Sequence, residues 1–126
     1  MQTKIKVMNM QYIDGFVAAV PTENKEKYIQ HATMAAPLFR EYGALKVVEC
    51  WGDDVPDGKL TSFPLAVKKE ESESVVFSWV VWPSRAVRDA AWPKLMADPR
   101  MTSEANPMPF DGKRLIYGGF QTIVEM

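Results

Sequence analysis

The segment Val75–Trp82 reads Val-Val-Phe-Ser-Trp-Val-Val-Trp, and it is the stretch that decides the fold. A β-strand sends alternate side chains to opposite faces of its sheet. The odd-numbered residues of this segment would lie on one face and the even-numbered residues on the other. Apart from Ser78 both sets are apolar, so both faces of the sheet must be covered.

Two convincing helices flank this strand. In the first, over residues 23–42, one apolar stripe recurs at spacings of three and four, with Thr22 as the expected N-cap and Gly43 as the stop. The second helix begins after Ser84, its expected N-cap, and ends at Asp98. Each helix carries an internal proline. The stripe of the first helix consists of Tyr28, Ala32, Ala35, Phe39 and Tyr42.

Further strands are predicted over residues 12–20, 45–51 and 115–124, and residues 61–68, interrupted by Pro64, are predicted to be an edge strand or a loop. The element order predicts an α+β fold of the ferredoxin-like βαββαβ type, with an antiparallel sheet and two helices on one face. Two helices cover about one face, so a second copy is expected on the other, giving a homodimer. Residues 1–9 are interpreted as an N-terminal extension and residues 10–126 as a single domain.

Composition restricts the class of protein. The chain has 126 residues, 47% hydrophobic and 25% charged, with a net charge of −1, as in soluble globular proteins. The sequence has no basic stripe, which argues against nucleic-acid binding, and no apolar run long enough to cross a membrane. Cys50 is the only cysteine, so no intrachain disulfide can form, and a cytoplasmic location is expected.

Several motifs resemble the YbaA-like family of bacterial proteins. They include Tyr12-Ile-Asp-Gly-Phe-Val, Val75-Val-Phe-Ser-Trp, Met96-Ala-Asp-Pro-Arg-Met and Met108-Pro-Phe-Asp-Gly-Lys-Arg-Leu-Ile-Tyr-Gly-Gly-Phe. The resemblance extends over nearly all of residues 10–126. It implies the dimeric α+β barrel superfamily, in which two ferredoxin-like sheets face each other. Relatives in that superfamily include cofactor-free monooxygenases, small-lactone isomerases and haem-degrading enzymes, but the resemblance supplies no catalytic residues.

Two residues are candidates for proton transfer. His31 is the only histidine, at the margin of the apolar stripe, where it is either a general base or a hydrogen-bonded, partly buried ring. Asp14 shares a strand face with Tyr12 and Phe16, and a carboxylate on an apolar face needs a partner.

Aromatic and basic side chains supply the candidate binding residues. The aromatic ones would shape a cavity for an apolar molecule, or else pack the core and the dimer interface. Arg85 is expected to pair with Asp89 four residues later, and Arg114 is expected to clamp a neighbouring loop. The candidate binding residues are Tyr12, Trp51, Trp79, Trp82, Tyr117, Arg85 and Arg114.

No metal or cofactor is predicted. One histidine per chain excludes a three-histidine zinc site within a subunit. Glu49, Asp53 and Asp54 cluster near the end of the second strand, but the EF-hand pattern fails there, and solvated turn residues are the favoured interpretation.

Two functions remain open. One is a homodimer that binds a small apolar or aromatic molecule in a cavity between sheet and helices, and that acts as a cofactor-independent oxygenase or isomerase. The other is a non-catalytic dimeric binding or scaffold protein.

Overall fold

A computed structural model describes residues 10–126 of the chain. It contains four strands, β1 (Tyr12–Pro21), β2 (Lys46–Trp51), β3 (Glu73–Trp82) and β4 (Ile116–Gln121). The helices are α1 (Lys25–Glu41), α2 (Phe63–Ala66) and α3 (Arg85–Ala97). Three single 3-10 turns, 22–24, 99–101 and 112–114, precede α1, follow α3 and precede β4 respectively.

The strands form one antiparallel sheet in the order β2-β3-β1-β4. The apolar segment that decides the fold is therefore an inner strand, paired along its full length with β1. In the register, Phe16 lies opposite Ser78, and Glu49 lies opposite Ser78 from the other side. The observed class is α+β, with a four-stranded antiparallel sheet and helices.

One face of the sheet carries α1 and α3. Trp82 is fully buried there beside Leu38 of α1 and Leu95 of α3. Further along the same face, Tyr28 of α1 packs with Ala18, Val20 and Val76. The helical stripe of the sequence therefore covers this face, as its spacing predicts. Both helices continue through their internal prolines, Pro37 and Pro93.

The expected N-cap of α3 is present in the structure, whereas the expected N-cap of α1 is not. The Ser84 hydroxyl accepts the Val87 backbone N–H at 3.2 Å, so the predicted cap of α3 is confirmed. The expected Thr22 cap of α1 is wrong, because the chain makes a 3-10 turn first and α1 begins at Lys25. The Thr22 hydroxyl bonds the Ser74 hydroxyl at 2.7 Å instead.

Residues 63–66 are the main departure from prediction. The segment around Pro64 is neither an edge strand nor a plain loop but the short helix α2. Ser62 caps it by accepting the Leu65 N–H, and proline is well tolerated in a first helical turn. Val67, which follows α2, is buried against Val17 and Val75 on the second face of the sheet. The chain thus covers part of that face itself, which the prediction of only two helices did not allow for.

A single arginine, Arg114, fixes the segment that leads into β4. Arg114 donates two hydrogen bonds to the Glu73 carboxylate at 2.7 Å each and one to the Lys68 carbonyl at 2.9 Å. The arginine holds the pKa of Glu73 below its ordinary value, chiefly through these hydrogen bonds. Arg114 therefore clamps a neighbouring loop, as its sequence context predicts.

Candidate functional site

A cavity of about 940 Å³ lies between the sheet and the two long helices. Its floor is formed by β1, β2 and β3, its walls by α1 and α3, and one side by the segment that leads from α3 to β4. Apolar side chains supply most of the surface, and the main ones are Phe16, Phe39, Trp92, Met96, Met101 and Met108. Such a space, apolar with a few polar groups, has the size and character of a small-molecule site.

Asp14 stands at one end of the floor with its carboxylate fully engaged. Arg88 of α3 donates to it from Nε and Nη2, the latter at 2.8 Å from Oδ1. The indole N–H groups of Trp82 and Trp92 donate to Oδ2 at 2.8 and 2.9 Å. The expectation that Asp14 needs a partner is thereby confirmed. Four N–H groups around one buried carboxylate favour a positioning role over proton transfer.

Arg88 links this end to the rim of the cavity. Its guanidinium lies over the Tyr12 ring, 5.3 Å from the centroid, and also donates to Asp89 at 3.0 Å. Asp14 is the main cause that raises the pKa of Arg88 above its ordinary value. Arg85 pairs with Asp89 at 3.3 Å, which confirms the pair expected from their spacing.

Glu49 and Tyr28 form a second polar group on the floor, away from Asp14. The Tyr28 hydroxyl donates to Glu49 Oε1 at 2.6 Å. From the register, Glu49 and Asp14 lie two strands and two residues apart, which places their Cα atoms roughly 12 Å from each other. The Glu49 side chain lines the cavity and is exposed, on the edge strand β2.

The pKa values of this pair are shifted in the same direction. Burial raises the pKa of Glu49, while the hydrogen bonds from Tyr28 and Ser78 and the proximity of His31 oppose the rise only in part. Burial, followed by the charge of Glu49, raises the pKa of Tyr28. Tyr28 therefore remains a hydrogen-bond donor while Glu49 is the member of the pair that titrates.

His31 also lines the cavity, one helical turn after Tyr28. Its Nδ1 lies 3.0 Å from Asn106 Oδ1, and Asn106 Nδ2 donates to the His31 carbonyl at 3.0 Å. Because the amide nitrogen of Asn106 is committed to that carbonyl, its oxygen faces the ring, so Nδ1 carries the proton. Nε2 is then the ring nitrogen that faces away from Asn106 and remains for a ligand.

The structure brings some predicted binding residues to the cavity and leaves others elsewhere. Arg85 and Tyr117 line it. Trp79 borders it, but its ring packs beside Phe77 on the second face of the sheet, with centroids 5.4 Å apart. Trp82 is buried in the core, and Trp51 packs edge-on against Tyr28. Neither lines the cavity, and Tyr12 does not line it either, because its ring lies beneath the Arg88 guanidinium. Arg114 clamps the loop at Glu73, away from the cavity.

Sequence reasoning missed three residues of this cavity. Arg88 is separated from Asp14 by 74 positions, and only tertiary structure joins them. Tyr28 was assigned to the apolar stripe, and its hydroxyl went unconsidered. Glu49 was interpreted as a solvated turn residue, although strand alternation puts it on the same face as Val47, towards the helices. That alternation was the available signal.

Within residues 10–126, no three His, Cys, Asp or Glu side chains come together as metal ligands would. In the same part of the chain, no helix combines the length and the apolar character needed to cross a membrane.

Comparison with known proteins places this chain among bacterial relatives. A family model described as "Protein of unknown function (DUF1428)" matches residues 11–112. The "Uncharacterized protein YbaA" of Escherichia coli strain K12 is 60% identical over 116 residues, which cover 92% of this chain and 99% of that protein. Proteins of the same name from Escherichia coli O157:H7 and Shigella flexneri match with the same identity and coverage.

Proposed function

The chain belongs to the DUF1428 family of proteins of unknown function, as its YbaA-like motifs predicted, and on that premise we propose that it is a homodimeric small-molecule-binding protein. The occupant of each subunit's cavity is a small, mostly apolar or aromatic molecule. The bound molecule loses a proton and then either takes it back at another position, as in an isomerase, or reacts with dioxygen, as in a cofactor-independent oxygenase. The protein would act in the cytoplasm without nucleic acid or membrane.

The observation that carries this proposal is the cavity of about 940 Å³ with polar side chains at separate points of an apolar wall. A protein built only for packing would fill such a space, because native interiors contain few voids larger than a water molecule. Here His31 and Glu49 are instead aimed at open volume.

The proposed assembly is a dimeric α+β barrel made from two ferredoxin-like sheets. The strand order and the placement of both long helices on one face support it. The second face, only partly covered by Val67, leaves Phe77 43% and Phe120 60% exposed, and large exposed apolar patches mark interaction sites. A second copy of the same face is the natural cover for it.

In the proposed reaction His31 is the general base, acting through Nε2. Its Nδ1–H is held by Asn106, and this is the arrangement that orients a catalytic imidazole. Asp14, the other candidate, would instead fix Arg88 and the two indoles at the opposite end of the cavity. The assignment to oxygenases or isomerases rests on fold analogy.

Blocking the cavity tests the binding proposal. Ala35 lines the cavity, whereas Ala90 is exposed on α3, so Ala35→Trp and Ala90→Trp form a matched pair. The neutral fluorophore N-phenyl-1-naphthylamine should bind the wild type and Ala90→Trp, with enhanced emission, and should not bind Ala35→Trp. Equal binding by all three proteins would show that the probe does not use the cavity and would refute the proposal.

The dimer has its own test. Trp79 lies on the second face, so Trp79→Asp should yield unfolded or aggregated chain. A folded monomer of this variant in native mass spectrometry would show that the face is not an obligate interface.

The alternative is a non-catalytic binding protein with the same cavity. The hydrogen bonds that Asp14 accepts from four N–H groups favour the non-catalytic protein, because they occupy the oxygen lone pairs that would otherwise accept a proton from a ligand. Once a substrate is found, unchanged turnover by His31→Ala would remove His31 from the mechanism.

A further inference from the structure

We propose that Glu49 is a second proton acceptor of the cavity, beside His31, and that the molecule bound there is an uncharged, largely apolar compound carrying a hydroxyl group. This inference rests on the proposed function, since it assigns the ligand class of the same cavity. The hydrogen-bond donors and acceptors around Glu49 are the observations that support it.

Most of the side-chain donors next to Glu49 are already in use. The Tyr28 hydroxyl donates to Glu49 itself. The Asn106 amide donates to the His31 carbonyl, and the His31 Nδ1–H donates to Asn106 Oδ1. What this end mainly offers a ligand is therefore acceptors, namely the Glu49 carboxylate and His31 Nε2. A ligand must bring the donor, and a hydroxyl is the neutral donor that can also give up a proton as an oxygen acid.

Glu49 also differs from the other carboxylates on the cavity wall in its charge environment. Asp14 is paired with Arg88, and Asp89 with both Arg85 and Arg88. Among residues 10–126, Glu49 forms no ion pair. The titratable groups that act on it are Tyr28 and His31 of α1, and β3 contributes only the Ser78 hydroxyl. An unpaired carboxylate in an apolar cavity repels anions and readily takes up a proton.

The proton step balances within the complex. The ligand's hydroxyl must be far more acidic than the phenol of Tyr28, as the hydroxyl of a photoexcited naphthol is. Its O–H bond breaks, its proton forms an O–H bond on Glu49, and the ligand keeps the electron pair on its oxygen as the conjugate anion. No oxidant or further reactant is consumed. Tyr28 holds the carboxylate in position throughout because its own proton is not released at neutral pH.

The photoacid 2-naphthol reports on this step directly. Its excited state transfers a proton to a nearby base and then emits as naphtholate, whereas in an apolar site without a base it emits as neutral naphthol. Because His31 is the other base at this end, the comparison is made in a His31→Ala background, where protein that keeps Glu49 should give bound naphtholate emission. Adding Glu49→Gln to that background should give neutral emission from the bound probe, whereas adding the matched Glu71→Gln, altered in an exposed turn, should leave the naphtholate emission in place.

Affinities supply an independent readout. A hydrogen bond to a charged acceptor is worth about a tenfold change in affinity, so 2-methoxynaphthalene, which lacks the O–H, should bind wild type about tenfold more weakly than 2-naphthol. In Glu49→Gln the two affinities should converge. The anion 2-naphthoate should bind wild type more weakly than Glu49→Gln.

A second variant guards against misfolding of the first. Tyr28→Phe keeps Glu49 but removes the hydrogen bond that lowers its pKa. In the His31→Ala background naphtholate emission requires ionised Glu49, so it appears as the pH rises through the pKa of Glu49, and Tyr28→Phe should move that midpoint to higher pH.

The outcomes separate the two proposals. If none of the naphthalene probes binds wild type, both the cavity proposal and this inference are overturned. If the probes bind but Glu49→Gln in the His31→Ala background still gives bound naphtholate emission, or Tyr28→Phe leaves the midpoint in place, the cavity proposal stands and the role of Glu49 is refuted.

Discussion

Replacing Arg88 with methionine should be one of the most damaging single changes in this chain. Arg88 supplies the Nε and Nη2 hydrogen bonds to Asp14, whose side chain is only 4% exposed. In Arg88→Met the Asp14 Oδ1 loses its protein donors, while the indoles of Trp82 and Trp92 still reach Oδ2.

The size of the expected loss of stability follows from the hydrogen bonds that Asp14 keeps in the variant. Breaking a buried ion pair by removing one partner costs about 3–5 kcal/mol, because a charge is left buried without compensation. The two surviving indole hydrogen bonds and the 22% exposure of Arg88 place this case near the lower limit, at about 3 kcal/mol in the free energy of unfolding.

The assay is urea unfolding at pH 7 and at a fixed protein concentration, since assembly would contribute to stability. Adding Asp14→Asn to Arg88→Met should recover about 1 kcal/mol or more, because the second change removes the orphaned charge. A single variant within about 0.5 kcal/mol of wild type would refute the reasoning.

Two further predictions concern the fold around the cavity. Ser84→Ala removes the α3 cap at Val87 and should lower the free energy of unfolding by about 1 kcal/mol in chemical denaturation. The control, Ser103→Ala at an exposed position, should change that free energy little. Equal effects of the two substitutions would contradict the capping role. Arg114 depresses the pKa of Glu73, so this pair contributes stability that is present above the unfolded pKa of about 4.3 and is lost as the pH falls through the lower folded value. Arg114→Met should therefore be less stable than wild type at pH 7, with the difference narrowing in acid, and a pH-independent difference in thermal unfolding would argue against it.

Local sequence signals were sufficient for most of the scaffold. Ser84 was recognisable as a cap because a serine hydroxyl before an apolar-periodic run satisfies an orphan backbone N–H. Asp14 was recognisable as needing a partner because its strand neighbours on the same face are apolar. Both conclusions depend on residues within a few positions of one another.

What the sequence could not supply depends on distant residues or on competing local rules. Arg88 and Glu49 acquire their roles from Asp14 and Tyr28, which lie on other elements, so no local pattern could have joined them. At Pro64 two rules competed, since proline marks both an edge strand and a first helical turn, and the Ser62 cap decided the outcome.

Two parts of the cavity wall differ in how easily they can change shape. Its floor is a hydrogen-bonded sheet that cannot move without breaking strand pairing, whereas one side presents Met96, Met101 and Met108. Methionine side chains are unbranched and polarisable, and they reshape around whatever lies against them. The methionine side would then exclude few ligands by their shape. The rigid sheet floor would instead fix the position of a ligand's polar atom. If the cavity binds ligands as proposed, its selectivity should depend on their polar atom more than on their outline, and a series of hydroxylated compounds of increasing bulk should lose affinity gradually rather than at a sharp size limit.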